Sequence, residues 1–217
     1  MRHIILTLAL AAALPALPAA AQDLSVYAGL GLTVDNADDD TNTDLNLYIE
    51  GDFKGLYFGL SGDVVSITDG NYVDVYAGYR NALDSGLSYD LSVDRTLYTV
   101  DEASDYTTLA VSIGLPLGDV ATLTFDGDYY LNPGDADTSD GYLTIDYYLN
   151  DKITLTASMG LIENDGPGTG GASKDFELAA AYQIGDETSA TLHYYDGDDY
   201  DGYFALDLNW DTTLLGG

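Results

Sequence analysis

The sequence predicts an all-β chain: an antiparallel transmembrane β-barrel of about 12 strands, with short periplasmic turns and longer outer loops. Three observations carry that expectation. Apolar and polar residues alternate with period two, the alternating segments run near ten residues, and long and short connections alternate between them. From Asp44 to Phe53, the residues Leu45, Leu47, Ile49, Gly51 and Phe53 fall on one face. Asp44, Asn46, Tyr48, Glu50 and Asp52 fall on the other. A strand sends successive side chains to opposite faces, so the segment has one face fit for lipid and one fit for water. About ten residues is the length a tilted strand needs to cross a bilayer.

Twelve segments repeat the pattern. They are Leu24–Val34, Asp44–Phe53, Leu56–Ile67, Tyr72–Arg80, Leu87–Thr99, Tyr106–Leu115, Val120–Leu131, Gly141–Leu149, Ile153–Ile162, Asp175–Ile184, Ser189–Tyr195 and Tyr203–Trp210. The odd-numbered connections are mostly long and polar, such as Asp35–Thr43, Asn132–Asp140 and Glu163–Lys174. The even-numbered ones are mostly tight, such as Lys54-Gly55 and Asn150–Lys152. Thr68–Asn71 is short for its class. This parity is that of outer-membrane barrels, with long loops outside and short turns in the periplasm. After Trp210, either the last strand continues or a tail follows.

The ends and composition fit the same reading. Met1-Arg2-His3, the apolar Ile4–Leu14 and the small-residue Ala19-Ala20-Ala21 predict a cleaved secretory signal over 1–21, leaving 22–217 as the barrel. No later apolar run is long enough for a spanning helix, so a membrane-spanning chain must cross as strands. The chain has no cysteine, hence no disulfide or thiol chemistry. Its formal net charge is −31, from 6 Lys plus Arg against 37 Asp plus Glu. That excludes nucleic acid and disfavours anionic solutes, which it would repel, and favours cations.

Thirteen acidic residues share the polar parity: Asp44, Glu50, Asp52, Asp63, Asp74, Asp90, Asp94, Asp126, Asp128, Asp146, Asp175, Glu177 and Asp207. With Arg80 and His193, these (Asp175 apart) are the expected pore-lining residues. Within the twelve segments, Arg95 is the only charge with apolar parity. It comes late in its strand, near the outer interface, where the cost of a charge is small. Tyr79, Tyr89, Tyr129, Tyr147, Tyr182, Tyr194 and Trp210 share the lipid parity and suit interface girdles. Tyr48, Tyr76, Tyr130, Tyr142 and Tyr148 point inward and are expected to narrow the lumen.

Two hairpins carry a family resemblance. Tyr72-Val73-Asp74-Val75-Tyr76-Ala77-Gly78-Tyr79 with Gly86-Leu87-Ser88-Tyr89-Asp90, and Asp128-Tyr129-Tyr130 through Gly141-Tyr142-Leu143-Thr144-Ile145-Asp146-Tyr147, resemble hairpins of the TorF-like family of bacterial outer-membrane porins. The resemblance covers about the middle third of the chain. It implies an outer-membrane, porin-like protein.

No reaction chemistry is expected. His193, on the eleventh segment, has Thr191 and Tyr195 as same-face neighbours and no adjacent serine or aspartate, although Asp207 could reach it across strands. A solvated lumen histidine is the expectation, and no cofactor is implied. Asp38-Asp39-Asp40, Asp135/Asp137/Asp140 and Asp196/Asp198/Asp199/Asp201 lack the spacing and closing glutamate of a calcium loop. They suit weak divalent binding and no defined metal site. Gly166-Pro167-Gly168-Thr169-Gly170-Gly171 lacks the lysine of a phosphate loop.

The sequence therefore implies a passive, cation-preferring channel for ions and small cationic or neutral solutes in the outer membrane of a Gram-negative bacterium, since rings of Asp and Glu select cations. Its implied partners are the bilayer and its outer-membrane lipids, and the machinery that assembles barrels there. Two other readings stay open: a non-conducting structural or adhesion barrel, and a soluble lipocalin-like protein with its apolar face turned inward.

Overall fold

A computed structural model describes residues 24–37, 41–63, 72–98, 105–131, 137–164 and 171–216, with backbone alone at 163, 164 and 171. The segment 1–21, expected to be a cleaved signal, and Asp38-Asp39-Asp40 lie outside the described residues, as do 64–71, which contain the end expected for the third strand and the short Thr68–Asn71 connection.

Every regular element among the described residues is a strand, apart from a single 3₁₀ residue at Ala37. They are β1 (Leu24–Asp35), β2 (Asn42–Phe53), β3 (Leu56–Asp63), β4 (Tyr72–Ala82), β5 (Ser88–Tyr98), β6 (Tyr106–Pro116), β7 (Ala121–Leu131), β8 (Thr138–Asn150), β9 (Ile153–Asn164), β10 (Gly171–Gly185), β11 (Thr188–Gly197) and β12 (Tyr203–Leu215). Each strand pairs antiparallel with its neighbours in sequence, and β1 pairs with β12, closing the barrel. Closure leaves no sheet edge, which is what lipid requires of a strand protein. Leu24 and Leu215 reach the rim that carries the short turns. The tightest of these is a two-residue turn with positive φ at both Lys54 (56°) and Gly55 (87°). That is the turn whose twist matches a hairpin.

The barrel has almost no hydrophobic core. The only buried apolar residues among those described are Val26, Tyr57, Ala121 and Ala205. The large apolar side chains are exposed instead, including Leu56, Phe58, Leu91, Leu143, Leu178 and Leu192. All of them have outward parity in the strand register. This arrangement is the reverse of a lipocalin, whose apolar side chains line the interior, and it removes that reading. The outward face is a lipid face. It is bounded at the short-turn rim by Tyr79, Tyr89, Tyr147, Tyr182 and Trp210, with Lys54 over the Phe53 ring at 5.3 Å and Lys152 over Tyr182 at 6.0 Å. Towards the other rim stand Tyr129, Phe176, Tyr194 and Phe204, the last two 5.1 Å apart.

Several strands outrun the alternating segments. β8, β9 and β10 extend toward the long-loop rim, and β12 continues past Trp210, pairing Asp211–Leu215 with Val26–Gly29 across a register shift at Val26/Tyr27. So the C-terminal stretch is strand, and no tail begins at Trp210. The extensions also add charges of outward parity at the long-loop rim, Lys174 and Asp196, beside the expected Arg95. Arg95 itself lies 3.6 Å from Asp105 and donates to Thr107 at 3.1 Å.

Candidate functional site: an acidic lumen

The register turns Asp44, Glu50, Asp52, Asp63, Asp74, Arg80, Asp90, Asp94, Asp126, Asp128, Asp146, Asp175, Glu177, His193 and Asp207 to one face, the interior. It adds Asp35, Asp140 and Asp211, which lay beyond the ends of the alternating segments. Against these carboxylates the described interior holds one arginine and one histidine.

Both are already engaged. Arg80 reaches across β3 to β2, where it pairs with Glu50 and with Asp52 at 3.0 Å. Its guanidinium lies 4.6 Å from the centroid of the Tyr57 ring, and the Tyr57 hydroxyl donates to Asp90 at 2.6 Å. Arg80 is thus fixed to the wall near the short-turn rim, and the charges of Glu50 and Asp52 are offset by it.

His193 sits on β11 between two carboxylates of the flanking strands. Its Nδ1 lies 2.6 Å from Glu177 Oε1 on β10, and its Nε2 lies 3.1 Å from Asp207 Oδ2 on β12. The second contact is off the ring's N–H direction and is an ion-pair contact more than a hydrogen bond. Tyr195 is stacked nearly parallel to the imidazole, 5.5 Å away, with its hydroxyl 3.2 Å from Nδ1. The expected solvated histidine is therefore a bridged one. Asp207 does reach it across strands, but its partners are acids and a phenol, with no serine among them.

Other inward carboxylates are held by hydroxyl groups. Asp74 accepts from Thr96 at 2.8 Å and Ser61 at 3.2 Å, and Asp146 accepts from Thr156 at 2.6 Å. Hydroxyl donors orient these groups and leave their charge in place. Among the described residues, no group of three or more His, Asp or Glu side chains is placed to hold a metal ion.

The inward tyrosines follow a pattern that alternation along one strand could not reveal. Each of four lies across a glycine of the adjacent strand to reach a carboxylate one strand further on. Tyr48 crosses Gly29 to donate to Asp211 at 2.7 Å, and Tyr57 crosses Gly78 to Asp90. Tyr142 crosses Gly160 toward Asp175 at 3.5 Å, and Tyr76 crosses Gly59 toward Glu50. A β-carbon on any of these glycines would sit inside the van der Waals contact distance of the ring. The glycines let the rings lie flat on the wall, as aromatic side chains cover strand glycines elsewhere. Tyr48, Tyr76 and Tyr142 thus obstruct the lumen less than their size suggests. Beside Tyr48 and Tyr76 lies a cavity of about 660 Å³, bordered also by Tyr27, Glu50, Tyr57, Arg80, Ser92 and Asp94, and another of about 380 Å³ is bordered by Tyr57, Asp90, Asp126 and Asp128.

A second set of tyrosines is placed differently. Near the long-loop rim, Tyr72, Tyr98, Tyr106 and Tyr130 follow one another around β4 to β7, with ring centroids 5.9, 6.4 and 5.8 Å apart. On the far wall Tyr195, Tyr203 and Tyr200 form a shorter run at 5.1 and 5.7 Å. In the loop after β11, burial and the nearby Asp175 push the Tyr200 hydroxyl up to about 12.

No family model and no curated protein matches this chain. Solved structures do. The KdgM porin, in a complex with disordered oligogalacturonate, aligns with a TM-score of 0.66 at 10% identity, over 85% of this chain and 98% of that one. The NanC porin aligns with a TM-score of 0.66 at 10% identity, over 86% and 100%. An outer-membrane channel from Pseudomonas putida F1 aligns at 0.60 and 13% identity, over 88% and 95%. At such identities the likeness is one of architecture: the chain is folded as outer-membrane porins and channels are, as one closed antiparallel barrel.

Proposed function

We propose that this protein is a passive diffusion channel of the Gram-negative outer membrane that prefers cations and admits small cationic or neutral solutes. One observation carries the reading: nine of the twelve strands present carboxylates to the interior, while the only arginine of the described interior is held by Glu50 and Asp52. Fixed carboxylates in a narrow, low-dielectric passage raise the local cation concentration and exclude anions. The porin architecture, and the resemblance of the two tyrosine-rich hairpins to TorF-like porins, support the same reading. The flattened tyrosines and the interior cavities favour a conducting lumen over a plugged structural barrel. Twelve strands lie between the filled eight-stranded barrels and the wide sixteen-stranded porins, so the passage is narrow.

The oligogalacturonate of the KdgM complex is a polyacid. An interior with this charge would repel such a ligand, so the shared architecture does not extend to a shared solute. Liposome swelling tests the reading. Vesicles containing the purified protein should swell in small neutral solutes, and faster in a cationic amino-acid ester than in an acidic solute of equal size. No swelling above protein-free vesicles, or faster entry of the acid, would count against it.

A further inference from the structure

The rings of Tyr72, Tyr98, Tyr106 and Tyr130 are not accounted for by a channel that only needs charge. They form a continuous arc over four adjacent strands, each ring partly exposed to the interior. Unlike the four tyrosines laid over glycines, they have no glycine beneath them: Tyr72 faces Tyr98, Thr96 faces Tyr106, and Thr108 faces Tyr130. Carboxylates stand close to two of the four phenols, Asp63 to Tyr72 and Asp140 to Tyr130. One inward position deeper on the same strands come Asp74 and Asp128, with Asp94 one position below Thr96. The arc is therefore an aromatic tier above an acidic one.

We infer that this arc is a binding site for organic cations, substituted ammonium ions in particular, at the outer mouth of the lumen. The inference rests on the channel reading for its biological sense, but the site itself does not depend on conduction. A tyrosine face attracts a cation through its quadrupole, and an alkylated ammonium, weakly hydrated, gains most from it. Metal cations such as potassium would be drawn to the carboxylates below while keeping their water. The tier thus separates solutes that carry an apolar, charged head from simple ions.

Titration calorimetry on the folded protein in detergent tests this with three probes: tetraethylammonium chloride, potassium chloride and glucose. Saturable binding of tetraethylammonium is expected, with none for glucose and only weak binding for potassium. Tyr98→Leu/Tyr106→Leu should weaken tetraethylammonium binding about fivefold or more, whereas Tyr98→Phe/Tyr106→Phe, which keeps the rings, should stay within about twofold of the native protein. The unboiled gel mobility of each variant checks that it folds. No saturable tetraethylammonium binding, equal binding of glucose, or an equal loss in the Phe and Leu pairs would each overturn the inference. A protein that binds tetraethylammonium yet never conducts in bilayers would refute the channel and leave the site standing. One that conducts without binding would do the opposite.

Discussion

Replacing Leu178 by arginine tests which face of the barrel meets lipid. Leu178 is 59% exposed, points outward from β10, and stands between Phe176 and Tyr182, well inside the aromatic limits of the apolar band. Its cross-strand neighbours Ala157 and Tyr194 offer no counter-charge. An arginine at the lipid midplane of a barrel costs about 2–4 kcal/mol, a shift of roughly 30- to 1000-fold in the folding equilibrium constant. Ser92 supplies the contrast. It points inward from β5, borders both interior cavities, and has Asp94 beside it, so Ser92→Arg should cost less than about 1 kcal/mol. Reversible urea unfolding from phospholipid vesicles, followed by the mobility of the unboiled protein, measures both. Equal costs, or a greater cost at Ser92, would refute the assignment of faces.

Four further outcomes follow from named contacts. Arg80→Gln should raise cation preference by uncovering Glu50 and Asp52, and Glu50→Gln/Asp52→Asn should lower it by uncovering Arg80; reversal potentials in a salt gradient read both. Gly59→Ala should swing the Tyr76 ring off the wall and reduce single-channel conductance with little change in selectivity. His193→Ala leaves Glu177 and Asp207 half-buried without their shared partner and should cost about 1–2 kcal/mol in the same urea titration, with His193→Lys recovering part of it. Deleting 211–217 removes the pairing of the last strand with Val26–Gly29 and the Tyr48–Asp211 bond, so the unboiled form should give way to the unfolded one at a lower temperature.

The lipid face and the strand count were legible because alternation is strongest where one side meets lipid and the other water. The signal fades at the rims, where both sides meet water. That is why Thr138–Asp140 and Gly171–Lys174 read as loop although they are strand, and why Asp140 reads as a loop carboxylate although it faces the interior. The fate of the stretch after Trp210 depended on pairing with β1, a contact between the two ends of the chain that no local pattern records. Parity placed His193, but its bridging between Glu177 and Asp207 needs three strands in register. The same holds for the tyrosines over Gly29, Gly59, Gly78 and Gly160: a run along one strand shows the tyrosine or the glycine, and only the cross-strand register shows that they meet.

The reversal potential of the purified protein in a planar bilayer under a potassium chloride gradient tests the central claim most directly. An interior whose carboxylates far outnumber its cations predicts a potential displaced toward the potassium equilibrium value. A potential displaced toward chloride, or a membrane that never conducts, would contradict it.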